Sequence, residues 1–210
     1  MNIFDVMWTN RNQVLQLTIE HIFLVGVSMA IALAIGLPVG ILMTRKPRLS
    51  RPVLAFANVV QTIPSLALFG FLIPIPFIGG IGARTAIVAL VLYSLLPIIR
   101  NTFTGISGVD PAIREAGRGM GMTDSQLLWQ VELPLAMGVI FAGIRIATVV
   151  AVGVATIAAA VGAGGLGMFI FRGVSMVDSR LILAGAIPAA VLALAADVGL
   201  GAVEKRLGRI

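Results

Sequence analysis

Few residues in this 210-residue chain are of types that do chemistry, and their placement narrows the options further. There is no cysteine and His21 is the only histidine, which excludes thiolate catalysis, disulfide frameworks and Cys-ligated metal centres. Gly162, Gly164 and Gly167 satisfy G-x-G-x-x-G, the dinucleotide-binding spacing. That motif needs a short strand before it and an acid about 20 residues beyond it. Here a long apolar stretch precedes the glycines, and Ile182 to Ile187 contains no acid. A flexible, close-packing loop fits the pattern better. No phosphate-binding Gly-Lys-Ser/Thr run is present, since Lys46 precedes Pro47 and Lys205 precedes Arg206. ATP cannot be held by that route.

The remaining polar candidates lie between or inside apolar runs. Lys and Arg number 15 and Asp and Glu 9, so 11% of residues are charged against 59% hydrophobic; soluble domains carry roughly 25% charged residues. Residues 22–43, 52–83 and 146–171 contain no charge. A bilayer core about 30 Å thick takes roughly 20 apolar helical residues to cross. The composition therefore implies an all-α, polytopic transmembrane helical bundle of about five spans, within one domain covering 1–210. The expected spans are about 22–43, 52–78, 85–103, 133–161 and 181–203, the second interrupted by Pro64, Pro74 and Pro76. The first run is too long for a signal-peptide core of about 7–15 residues and is read as a retained helix.

Loop charges orient the spans. Ten basic residues (Arg45, Lys46, Arg48, Arg51, Arg100, Arg114, Arg118, Lys205, Arg206 and Arg209) fall on one side. Four, Arg11, Arg84, Arg172 and Arg180, fall on the other. Cytoplasmic loops carry the Lys/Arg excess, which predicts an amino terminus outside and a carboxyl terminus in the cytoplasm. The net charge of +6 is thereby explained by topology, and no nucleic-acid partner is expected.

Several positions leave two readings open. Gly36 and Gly40 form a GxxxG pattern that admits close helix approach, and Pro38 between them is equally a kink. Arg145 lies eleven residues after Pro134, about 16 Å along a helix. It either faces an aqueous cavity or pairs with Asp197. Glu20 and His21 mark the expected outer end of span one and read as interfacial residues.

One polar segment looks organised, the stretch from about 107 to 130. Asp110-Pro111 reads as an N-cap followed by proline at the first helical position. The short helix should end among Gly117, Gly119 and Gly121, and the Thr123 to Gln126 spacing is that of a capping box opening a second helix. Glu115, Ala116 and Gly117, then Gly121, then Val131, Leu133 and Pro134, resemble the EAA motif of ABC importer permeases. Gly117 stands where the family pattern has alanine and Val131 where it has isoleucine. In that family the segment is the coupling helix seated in a cytoplasmic ATPase.

The resemblance extends along the chain. Five spans with this motif between the third and fourth are similar to the type I importer permease core. Gln61, Thr62, Pro64 and Ser65, in the run Gln61 to Leu68, resemble the second span of permeases for glycine betaine, carnitine, choline and related osmoprotectants, and are expected on the translocation pathway. Gly162, Gly164, Gly165 and Gly167 resemble the outer loop of the same permeases and of methionine importers.

What the resemblance implies is a multi-pass permease of a bacterial cytoplasmic membrane and no enzyme. It binds no cofactor, with ATP and magnesium on the partner ATPase. Expected partners are that ATPase, a second permease copy (a homodimer, or else a paralogue), an extracytoplasmic substrate-binding protein and the lipid bilayer. Two tryptophans and one tyrosine cannot build an aromatic cage for a quaternary ammonium, which suits cargo delivered by a separate binding protein. The alternatives are a permease for methionine or another small solute, and, more remotely, a secondary carrier or channel, for which the internal repeats usual in carriers are missing.

Overall fold

The computed structural model describes residues 7–207; Arg209, counted in the charge asymmetry, lies outside them. The chain order is α1 (Arg11–Arg45), α2 (Ser50–Thr62), α3 (Ser65–Leu72), α4 (Ala83–Ser107), α5 (Pro111–Gly119), α6 (Asp124–Leu127), α7 (Leu133–Ile157), α8 (Gly167–Met176) and α9 (Ser179–Leu207). Four helical stretches are long and apolar enough to cross a membrane, or five if the bent pair α2–α3 is one span.

Burial follows sequence character. Helix α4 lies at the centre, packed against α1 on one side and α7 on the other, and α7 in turn packs on α9. Its seams are built from small residues: Ala86 and Ala89 on α4, Ala147, Ala151 and Ala155 on α7, and Ala32 on α1 are all buried. Between membrane helices apolar side chains gain little by leaving lipid, so close backbone packing carries the association. The open question at Gly36–Gly40 is settled on both counts. Helix α1 runs unbroken through Pro38. A Cβ on Gly36 would sit 2.7 Å from Ile98 Cγ2, and one on Gly40 2.6 Å from Thr102 Cβ. The pattern is an approach seam against α4.

Span two is interrupted at Pro64, where α2 and α3 meet at 103°. Pro64 has no amide hydrogen to continue the ladder, and both Ile63 and Pro64 are extended, with ψ of 126° and 136°. The bend is held from α4: the Tyr93 hydroxyl donates to the Ile63 carbonyl, and Gln61 Nε2 donates to the Tyr93 carbonyl at 3.0 Å. Span four runs on from the helix that the capping box opens. A continuous helical path from Asp124 to Val161 includes a π-helical turn at Leu128–Glu132, immediately before Pro134. Helix α8 follows the glycine loop and was not anticipated as a separate element.

Candidate functional site

The expected elbow forms as the sequence suggests. Asp110 caps α5, its Oδ1 accepting from the Ala112 amide at 2.8 Å, with Pro111 at the first helical position. The helix ends at Gly119, and Gly121 turns the chain at φ +83°. Thr123 and Gln126 make a reciprocal capping box that starts α6. Alanine at residue 121 would be strained by its φ although nothing lies within 4 Å of the added carbon.

Within this segment the motif residues separate into two faces. Glu115 and Ala116 are exposed, as are Ile113 and Met120. Gly117 is buried, and a Cβ there would lie 2.8 Å from Leu127 Cδ1 and 3.2 Å from Met122 Sδ. Glycine in place of the family's alanine thus lets α5 lie directly on α6. Val131, Leu133 and Pro134 are half-buried and form the start of α7 rather than the outward surface. Glu115 is the fifth residue of α5, past the first turn, so the helix dipole does little for it.

Glu132 escaped notice in the sequence, where it occupied the unspecified position of the motif. It is 1% exposed. Arg45, the last residue of α1, reaches its Oε2 at 2.5 Å, and Arg114 on α5 reaches its Oε1 at 3.1 Å. Arg114 also donates to the Ile106 carbonyl at the end of α4. A carboxylate at this depth needs such partners. Its signal was an acid set in an otherwise aliphatic Val-x-Leu-Pro run. Beside Arg45 an apolar groove of about 1110 Å³ runs between α1 and α7, with Trp129 at its rim.

The opposite end of the bundle holds the glycine loop. Gly162, Gly164 and Gly165 have φ of +74°, +83° and +76°, a region that side chains with a Cβ disfavour. Gly167 opens α8 so close to α7 that a Cβ would fall 1.8 Å from the Thr156 carbonyl oxygen. Glu20 and His21 are not merely interfacial. Glu20 Oε2 accepts from the Gly165 amide at 3.1 Å, and the buried His21 donates from Nε2 to the Val152 carbonyl at 3.1 Å. These contacts bind α1 to the loop and to α7.

The four residues expected on the pathway cluster at the α2–α3 bend. Thr62 and Pro64 are exposed, and Gln61 and Ser65 half-buried. Arg145 pairs with Asp197 at 3.7 Å, as one reading held, and also with Glu204 at 3.1 Å. Buried Tyr93 and exposed Trp8 and Trp129 stand apart on α4, ahead of α1 and at the elbow. Among the described residues no cluster of three or more metal-ligating side chains occurs.

Comparison with known proteins places these features in context. Residues 36–209 match the family described as binding-protein-dependent transport system inner membrane component. The chain is similar to carnitine transport permease protein OpuCB of Listeria monocytogenes, at 46% identity over 198 residues, 94% of this chain and 89% of that one. It is 48% identical over 202 residues to the glycine betaine/carnitine/choline transport system permease protein OpuCD of Bacillus subtilis, covering 96% and 87%. Among solved structures, an inward-facing MetNI methionine ABC transporter chain superposes with a TM-score of 0.82 at 25% identity, over 97% of this chain and 98% of that one.

Proposed function

This chain belongs to the binding-protein-dependent transport system inner membrane components, and from that membership we propose that it forms the translocation pathway of an ATP-driven osmoprotectant importer. The cargo class is a small solute bearing a quaternary ammonium, such as glycine betaine, carnitine or choline. The observation that carries the reading is the elbow: an exposed, capped helix presenting Glu115 and Ala116, joined through Gly121 to a membrane helix. A separate cytoplasmic ATPase grips that helix and holds the ATP and magnesium, and a substrate-binding protein delivers cargo to the other face.

Two copies of this chain face one another across the pathway, with the broken span at Gln61, Thr62, Pro64 and Ser65 lining it. Irregular backbone at membrane depth is tolerated where it is buried in protein or borders a water-filled cavity, and the exposed Thr62 and Pro64 fit the second case. The amino terminus lies outside. In support, the carboxyl end of α1, the elbow and the carboxyl half of α9 share one end of the bundle with most of the basic residues. Methionine is the second reading, favoured by the superposition with a methionine transporter; the higher identity to osmoprotectant permeases weighs against it.

The test is uptake by the permease reconstituted with its ATPase and binding protein in vesicles. Labelled glycine betaine, carnitine or choline should accumulate with ATP inside, and methionine should not. Methionine uptake alone would replace the cargo, and mass spectrometry showing a second, different membrane subunit would replace the homodimer.

A further inference from the structure

We infer that Glu132 is a positioning residue for the transport step, the joint through which movement of α5 is passed to both α1 and α7. The inference rests on the reading of α5 as the helix an ATPase grips.

The geometry is specific. Among the contacts that hold α5 on the bundle are Gly117, which lies on Leu127 and Met122, the exposed pair Arg118–Asp124 at 3.8 Å, and Arg114. The Arg114 side chain meets Glu132 at 3.1 Å and the Ile106 carbonyl. Glu132 in turn holds Arg45 at the end of α1. One buried carboxylate therefore joins the docking helix to two membrane helices, α7 by the chain itself and α1 through Arg45, while Arg114 ties α5 to α4 directly through the Ile106 carbonyl. Two arginines on one carboxylate leave an excess positive charge, so the removal of Glu132 would set the guanidiniums against each other and uncouple α5 from α1 and α7, with Arg114 still held on the Ile106 carbonyl.

The backbone adds to this. Glu132 closes a π-helical turn at Leu128–Glu132, just before Pro134, which cannot donate a backbone hydrogen bond. Single π turns within α-helices occur often at functional positions. A wide turn ahead of a proline can flex without breaking a regular ladder, and there the charge joint keeps α5 and α7 in step. Without that joint, α5 would swing on Gly121 and leave α7 behind.

The experiment uses the complete importer in vesicles and compares wild type with Glu132→Gln and Arg114→Lys. Three quantities are read: ATPase co-purification, ATP hydrolysis with and without loaded binding protein, and solute imported per ATP. Glu132→Gln should retain the ATPase and its basal hydrolysis while solute per ATP falls at least tenfold. Arg114→Lys, which keeps the charge and is the milder change, should lower that ratio two- to fivefold. An unchanged ratio in Glu132→Gln, or in Arg114→Lys should Glu132→Gln fail to accumulate, would overturn the inference. So would a proportional fall in assembly, hydrolysis and uptake, since that marks a static clamp. Failure of wild type to retain the ATPase would instead overturn the reading of α5 itself.

Discussion

At the elbow end, Glu132 holds Arg45 and Arg114 by side-chain charge, whereas at the glycine-loop end Glu20 and His21 grip main-chain groups of Gly165 and Val152. The elbow carries one glycine at positive φ with empty space around it, Gly121; the loop carries three at Gly162, Gly164 and Gly165, with Gly167 wedged against the Thr156 carbonyl. Charges on long side chains allow angles to change while contact persists. Backbone set in the left-handed region and pressed on a neighbouring carbonyl has one arrangement. The elbow end is thus joined by side chains that can swivel, and the glycine-loop end by main-chain contacts that tie α1, α7 and α8 together.

The sharpest way to break that contrast is at the rigid end. Gly167→Val places carbon atoms where the Thr156 carbonyl stands, and overpacking of this kind costs about 1–3 kcal/mol or more. The folded protein should be lost, read as the disappearance of the monodisperse peak in size-exclusion chromatography. Normal accumulation would show that the loop yields.

Next in size is the mobile end. Gly121→Asp adds strain of roughly 1–2 kcal/mol from φ alone, with no atom to collide with. The protein should accumulate and melt within a few degrees of wild type, while uptake disappears. Glu115→Arg, on the exposed face, should do the same with less effect on melting. Wild-type uptake in Gly121→Asp with the ATPase bound would make the elbow a mere connector.

A smaller effect sharpens the comparison. Glu20→Gln keeps the shape and removes the charge from the bond to the Gly165 amide, and hydrogen bonds to charged groups contribute about 1.5–3 kcal/mol when buried. Because Glu20 is only half-buried, about 1 kcal/mol is expected, measured as a lower melting temperature with uptake per ATP unchanged. The smallest effect belongs to Asp124→Asn. Its pairing with Arg118 spans 3.8 Å between exposed side chains, and such pairs contribute roughly 0–1 kcal/mol. Melting should shift by less than the scatter of repeat scans.

Much of the elbow was legible because its signals are local. Asp110 and Pro111, the glycines that end α5, and the Thr123–Gln126 box each act within four residues, and each forms as expected. The charge-free runs likewise marked the spans. What stayed hidden depends on partners distant in sequence. Pro64 signalled a break, but its angle comes from Tyr93 reaching Ile63 from α4. Glu132 occupied an unspecified motif position, and its burial depends on Arg45, 87 residues away. His21 looked interfacial until Val152, 131 residues on, supplied its acceptor. Arg145 revealed one carboxylate partner to the sequence, and the fold brought a second in Glu204.

The seam of Gly36 and Gly40 against Ile98 and Thr102 also sets a timetable for biogenesis. At synthesis rates of roughly 5–20 residues per second, α1 enters the bilayer about 3–11 s ahead of Ile98. During that interval α1 must be stable in lipid alone, which its charge-free stretch over 22–43 provides. Its glycine face meanwhile awaits a helix that has not yet arrived. Leucine at Gly36 would therefore pass unnoticed during insertion. The defect would surface only when α4 arrives and finds its place taken.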